Sequence, residues 1–382
     1  MITSRVESAG LAKKLMDDFA DKTGINNKDT SSQDRYLWTD AFAVQNFLAL
    51  SSFFDDDKYK YLARNLIGQV HETLGRFAPE DSRSGWISGL PEEEGQKHPT
   101  INGLRIGKDQ LERKKTDPFD PRKEWDRDGQ YFHYHTRWIH ALLHAAQKLN
   151  DRKLITYASE LSLAGRHFLE SSGNQSRLYW KMSVDLSYPL VSSMGAHDPL
   201  DGYLTALECK LLTSNEEDFT EYLSDLESLC GGKSWQTDDP LGLGGLLLNV
   251  VRSAELKQHT KLPESVHPQK LYSDALTGLK EFSKRADLAS SSRFRLAFRE
   301  CGLSLGLRVV DNYQDKLADT VSDLKELEKK QNLADDIEQF WSQSENRKFS
   351  NYRDHLNINH VSLASSLLAG VESNFFSTPE FE

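Results

Sequence analysis

The sequence predicts an all-α fold, a ring of six helical hairpins closed on itself. Three observations lead there. Six segments rich in Ala, Gly and Leu, at residues 38–50, 131–149, 201–213, 241–254, 294–310 and 360–371, read as helices buried on nearly all sides. Most are followed by a more charged amphipathic segment, and they recur mostly every ~40–65 residues, near the range of repeated structural units. No segment alternates convincingly at period two, so no strong strand is expected. The apolar set would form an inner ring and the charged set an outer one. Gly242, Gly244, Gly245, Ala297, Gly302, Gly306, Ala364 and Ala369 would let the inner helices approach closely.

Taken in order, residues 4–22 carry Val6, Leu11, Leu15 and Phe19 on one side of a helix. After a polar loop at 23–33, helical pattern resumes at 35–54, breaks at the acidic turn Asp55 to Lys58, and continues through 59–75, which makes an αα-hairpin. Residues 77–127 lack clear periodicity and hold Pro79, Pro91, Pro99, Pro118 and Pro121 among several glycines. Trp86, Ile87, Leu90, Leu104, Ile106, Phe119 and Trp125 give this segment apolar anchors, so it is expected to be a long ordered loop folded over a site, with short strands admissible within 85–110. Helix 131–149 has its partner at 151–171. An irregular stretch leads to helix 201–213 and its partner 216–230. Helix 241–256 pairs with one near 268–286. The segment 290–310 reads as another buried helix, Asp315 to Ser342 as a charged amphipathic one, and 360–371 as the last apolar helix. Residues 1–382 are read as a single domain.

Composition narrows the function. The chain has 382 residues and is 38% hydrophobic, enough for a large core. Its net charge of −11 argues against a nucleic-acid binder. No apolar run approaches the ~20 residues of a membrane span, and the N-terminus has no apolar signal core. Cys209, Cys230 and Cys301 are an odd number without CxxC spacing, which suits buried thiols in a reducing compartment, so a cytoplasmic protein is expected. No cofactor is implied: GLRIGK lacks P-loop spacing, and there is no GxSxG elbow or Rossmann fingerprint. No metal is expected either. His140 and His144 lie four apart on one helix without the glutamate of HExxH, and the acidic turn lacks a calcium-loop arrangement.

The densest chemistry is at 124–135, EWDRDGQYFHYH, directly ahead of the helix with Trp138, Ile139, Leu142, Leu143, Ala146 and Leu149 at helical spacing. A polar and aromatic cluster at the front of a helix that buries its other side presents chemistry from a rigid element. Asp128 as a plain helix cap is the competing structural reading.

With this hairpin pattern the chain resembles the six-hairpin, (α/α)6-barrel superfamily, which contains glycoside hydrolases, unsaturated glucuronyl hydrolases and N-acylglucosamine 2-epimerase-like proteins. The resemblance is one of architecture and of where polar residues fall. It implies a (α/α)6 barrel (six-hairpin toroid) with its site at one mouth, at the front ends of inner helices and the loops leading into them. Those loops carry tryptophans beside carboxylates, the pairing that sugar recognition uses: the ring covers the apolar side of the sugar and the carboxylate takes its hydroxyls. The candidates are Trp38 with Asp40, Trp86, Trp125 with Glu124, Asp126 and Asp128, Trp180 with Asp185 and then Asp198 and Asp201, Trp235 with Asp238 and Asp239, and Arg353, Asp354 and His355. Tyr131 adds a further ring.

Glycoside hydrolysis needs two carboxyl groups, one protonated and one ionised. Asp126 or Asp128 is expected to supply one, and Asp198 or Asp40 the other. Arg105, Lys108 and Arg113, with Arg127 and Arg353, would suit an anionic sugar; pairing with Glu92 to Glu94 and Glu112 is the structural alternative. Histidines offer a rival chemistry. His98, His133, His135, His197 and His355 lie in polar loops or near helix fronts, and a 2-epimerase or isomerase needs bases beside a carbonyl. A terpene-cyclase-like barrel would need an apolar, aromatic cavity, and a non-catalytic sugar-binding scaffold would lack the catalytic pair. The partner in each case is a small molecule, a sugar or glycoside in the first reading. The sequence leaves the oligomeric state open.

Overall fold

The computed structural model describes residues 4–26, 35–172, 175–213, 216–328 and 330–376. Among these are twelve helices of at least twelve residues: α1 (Arg5–Lys22), α2 (Leu37–Phe54), α3 (Asp57–Leu74), α4 (Phe132–Leu149), α5 (Lys153–Ala164), α6 (Asp198–Leu212), α7 (Glu216–Cys230), α8 (Pro240–Lys257), α9 (Pro268–Arg285), α10 (Ala297–Asn312), α11 (Gln331–Ser342) and α12 (Leu356–Ala369). Their ends follow local chemistry. A capping box of Ser4 and Glu7 opens α1. Asp239 accepts the Gly242 N–H at 2.8 Å and opens α8, with Pro240 at its first turn. Asn150, at φ 51, closes α4. No helix among the described residues is long and apolar enough to cross a membrane.

The described residues form two compact units. One takes in α1, Gln45–Ala63 and the described residues 232–376; the other takes in Arg35–Val44 and Arg64–Gly231. In the first, the apolar helix α8 packs on α10 and α10 on α12, while α9 and α11 lie against α8 and α10. Glycine sets the closeness of α8 and α10. A Cβ at Gly244 would lie 2.0 Å from the Gly302 carbonyl oxygen, and one at Gly306 would lie 2.6 Å from that of Gly244. The last apolar helix, α12, packs against α1, more than 300 residues away in sequence, and the Arg5 guanidinium donates to the Val371 carbonyl. Asn46, wholly buried on α2, donates to the Val361 carbonyl at 3.0 Å and accepts from Ser365 Oγ at 2.9 Å. The outer partner of the final helix is therefore the first helix of the chain.

In the second unit α4 packs on α5 and α6, and α6 on α7. Three short strands, β1 (Gln130–Tyr131), β4 (Lys181–Met182) and β5 (Pro189–Val191), form an antiparallel sheet in the order β1-β4-β5, and β2 (Leu169–Ser172) pairs with β3 (Gln175–Leu178). Phe132, Phe168, Leu178, Met182, Leu186 and Leu229 cluster beneath them. These strands lie outside the 85–110 region where strands were admitted, and at two to four residues they leave no period-two signal. The 77–127 segment is anchored by buried Trp86, Ile87, Leu104 and Ile106, whereas Phe119 and Trp125 are exposed. The helix expected over 151–171 ends at Ala164, where a 3-10 turn leads into β2. The helix expected over 315–342 is broken: among the described residues only Gln314–Leu317, Lys325–Glu328 and α11 are helical, with Asp323 in the left-handed region at φ 63.

Gly244→Ala forces two helix backbones apart and should lower the unfolding free energy by about 2 kcal/mol. Gly10→Ala, on α1 with nothing within 4 Å of the added methyl, should raise it by ~0.5–1 kcal/mol. Urea unfolding of both variants beside the wild type measures the contrast.

Candidate functional site

The segment ahead of α4 is assembled from buried charge. Asp120 caps a short helix, Pro121–Asp126, by accepting the Arg122 N–H at 3.0 Å. That helix turns Glu124 inward and leaves Trp125 and Asp126 exposed. Glu124 accepts from Arg113 Nε at 3.0 Å and from Lys181 Nζ at 3.1 Å. Lys181 is fully buried, and its ammonium also donates to the carbonyls of Glu124 at 2.7 Å and Arg127 at 2.8 Å. All three of its protons are thus matched by oxygen. Burial pushes this lysine below the usual range, and the Glu124 carboxylate opposes that shift.

Asp128 holds the next turn. It takes the Arg105 guanidinium and accepts the N–H groups of Gly107 and Gly129, both at 3.0 Å. Arg105 donates onward to the Thr73 and Arg76 carbonyls. Strand β1 follows and pairs with β4, which sets Trp180 beside the start of α4.

The result is a band of rings. Trp125 and Trp180 have centroids 6.0 Å apart, Trp180 and Tyr131 4.9 Å, Tyr131 and Tyr134 5.1 Å, and His133 and Tyr134 4.7 Å. His133 lies nearly parallel to Trp180 and accepts its indole N–H on Nδ1 at 3.1 Å. Burial pushes His133 down to about 3, so it is neutral at pH 7. One turn along, Arg137 reaches both oxygens of Asp201 on α6, at 3.2 and 3.1 Å. The start of α2 adds Tyr36, whose ring carries the Lys108 ammonium 4.5 Å from its centroid. Burial, then the Tyr131 and Tyr36 phenols, holds Tyr134 above the ordinary phenol range. Asp40, in the first turn of α2, is buried with Arg35 Nε at 3.4 Å. Burial raises its carboxyl to about 6, against the pull of Arg35.

Of the residues singled out in the sequence, Trp125, Asp126, Tyr131 and His133 lie along or beside this band, with Lys108 on Tyr36. Trp38 sits on α2 with its ring 4.6 Å from Phe42, near Asp40 in sequence. The remainder have other engagements. Asp128, Arg105 and Arg113 are committed to the buried pairs above, and Arg127 gives its carbonyl to Lys181. Asp198 accepts the Gly195 N–H at 3.1 Å at the front of α6, next to half-buried His197. Asp185 takes the hydroxyls of Ser183 and Ser187 and the Arg83 guanidinium. His135 is buried with Nε2 3.0 Å from the Leu104 carbonyl oxygen, and burial pushes it down to about 4. Trp86 is buried under the Arg76 guanidinium, and His98 meets Glu160. Trp235, Arg353 and His355 belong to the other unit. There Trp235 is core, donating its indole N–H to the Ser265 carbonyl at 2.7 Å, while Arg353 and His355 are exposed. Sequence reasoning gave no role to Lys181, Arg35, Tyr36 or Tyr134. A lone lysine in YWKMSV, followed by residues that turn out buried, was the only available signal for Lys181.

No family model matches the sequence, and no curated protein matches it. Among solved structures, the chain is similar to an inactive variant of an α-1,6-mannanase of Salegentibacter sp. HEL1_6, carrying two Asp→Asn substitutions and in complex with α-1,6-mannotriose. The TM-score is 0.52 at 12% identity, over 96% of this chain and 99% of that one. A cellobiose 2-epimerase from Spirochaeta thermophila DSM 6192 aligns with a TM-score of 0.47 at 14% identity, over 86% of this chain and 84% of that one. The mannanase likeness shows the fold: this chain is a mostly helical (α/α)6 barrel.

The raised Asp40 carboxyl has a thermodynamic signature. The folded state holds this proton more tightly than the unfolded chain does, so Asp40 favours folding below about pH 4 and loses that contribution as pH rises through about 6. The stability of Asp40→Asn relative to wild type should therefore climb by about 2–3 kcal/mol between pH 4 and pH 7. Urea unfolding across that range reads it. A flat difference would mean that Asp40 ionises like an exposed aspartate.

Proposed function

We propose that this chain is a carbohydrate-active enzyme that hydrolyses a glycosidic bond, with the ring band ahead of α4 as its sugar platform. One observation carries this reading: Trp125, Trp180, Tyr131, His133 and Tyr134 form a continuous run of rings beside the Arg137–Asp201 pair, all at the front end of a buried helix. Ring faces suit the apolar side of a pyranose, and the ion pair suits its hydroxyls. In hydrolysis one carboxyl must hold a proton while another is ionised. Asp40 keeps its proton up to about pH 6 and suits the acid role, and Asp126 is the exposed carboxyl beside Trp125. The mannanase with the same fold, inactive once two aspartates are replaced and holding a mannotriose, supports carboxylate chemistry on a sugar chain.

The arginines of the 77–127 segment give little support to an anionic sugar, since Arg105 and Arg113 already face Asp128 and Glu124. Histidine-based epimerisation is the second reading, favoured by the place of His133 inside the ring band. Burial makes both His133 and His135 weak bases, which ranks it below hydrolysis.

The test is a panel of oligosaccharides, α-1,6-linked mannosides included, together with free disaccharides. Wild type should release reducing ends from one of them. Trp180→Ala should lower kcat/KM about 100-fold, mostly through KM, and Asp40→Asn and Asp126→Asn should each lower kcat by a similar factor. Conversion of a free disaccharide without any bond cleavage would select the epimerase reading. Full activity in Trp180→Ala would remove the ring band from the site.

A further inference from the structure

A cavity of about 310 Å³ opens in the second unit, at the lower end of the range of small-molecule sites, about 300–1,000 Å³. None of its lining belongs to the ring band. Leu149, which lines it, is at the far end of α4 from Tyr131, about 25 Å along the helix axis. Its walls come from α3, α5 and the loop around Trp86.

The chemistry of these walls is mixed. His71 accepts the Trp138 indole N–H on Nε2 at 3.1 Å, so the neutral ring carries its own proton on Nδ1 and is a donor. Its ring meets Tyr157 edge-on, with centroids 5.2 Å apart. Arg64 uses one nitrogen on the Leu149 carbonyl at 3.3 Å and is otherwise exposed. Glu72 and Asp151 bring acceptors, and the Arg76 guanidinium 2.8 Å from Glu72 balances part of that charge. The lining thus combines donors, acceptors, aromatic edges and the apolar Leu154 and Ile67, with charges of both signs.

We propose that this cavity is an accessory site for one neutral polyhydroxylated ring, a monosaccharide unit in size and chemistry. A cation would meet Arg64, and an anion would meet Glu72 and Asp151. A purely apolar ligand would strand these polar groups. A ring with hydroxyls on its rim and C–H groups on its faces matches donors, acceptors and aromatic edges together. The proposal rests on this cavity alone and stands apart from the reading of the ring band.

Gly68 provides a clean test. It lines the cavity from α3, and a Cβ added there meets nothing within 4 Å. Gly68→Leu therefore grows a side chain in open space on a helix that gains from losing a glycine. The full-length protein would be titrated with glucose, mannose and myo-inositol in turn, following tryptophan indole resonances by NMR, with Trp86 assigned through Trp86→Phe. At least one ligand should shift the Trp86 signal saturably, with Kd on the order of 1–10 mM. The shift should weaken at least tenfold in both Gly68→Leu and Arg64→Ala, and persist in Trp180→Ala. A Trp86 signal that none of the three moves would overturn the proposal. So would saturable binding that Gly68→Leu leaves intact, or binding that vanishes in Trp180→Ala.

Discussion

The candidate site depends on one buried ammonium. Lys181 Nζ meets a carboxylate and two main-chain carbonyls and has no exposure to solvent. A buried cation is tolerated only when every proton finds an oxygen, and here each does. Two of the three acceptors are carbonyls of the segment ahead of α4, so the same contact that stabilises the charge fixes where Trp125 and Asp126 emerge. The strand that carries Lys181 also carries Trp180, and its pairing with Gln130–Tyr131 sets that ring against Tyr131 and His133. Removing the charge would leave Glu124 with Arg113 alone, in a place where water cannot compensate.

The arginines extend this logic. Arg105 ties Asp128 to the end of α3, and Arg113 ties Glu124 to the Leu190 carbonyl of β5. The long irregular segment is thus held by ion pairs with full hydrogen bonding instead of by a regular ladder. Asp126 and Asp128, two residues apart, end in opposite environments: Asp126 closes the short exposed helix, whereas Asp128 is drawn in by Arg105 and the N–H groups of Gly107 and Gly129. Asp40 is shifted upward by desolvation that Arg35 only partly offsets. A buried carboxyl that keeps its proton to about pH 6 is the kind of group the proposed acid role calls for.

Much of the architecture was legible in the residues. The inner helices announce themselves by Ala, Gly and Leu, and Gly244, Gly302 and Gly306 were recognisable as close-approach positions; the distances at these glycines bear that out. The partner of α12 was not legible, because α1 lies at the other end of the chain and nothing local marks the pairing. The strands were invisible because two to four residues cannot display a period. Within the site, local composition placed the ring cluster at 124–135 but could not sort its aspartates, since exposure at Asp126 and burial at Asp128 depend on Lys181 and Arg105, 55 and 23 residues away. Trp86 and Trp235 read as platforms for a ligand from their polar neighbours. Their burial follows from Arg76 in one case and from Ser265 and Asp274 in the other, contacts no motif records.

The seam between the two ends of the chain bears on synthesis. Asn46 and Arg5 leave the ribosome more than 300 residues before their acceptors at Val361 and Val371. Until then the amide of Asn46 lacks its carbonyl acceptor and α1 lacks its contact with α12. Most hairpins can settle as they emerge, but this pairing spans nearly the whole polypeptide and carries the largest loop-closure entropy of any contact described above. The nascent protein must therefore hold α1 without this cover, open to chaperones and to other unfinished copies, until the fourteen-residue α12 arrives.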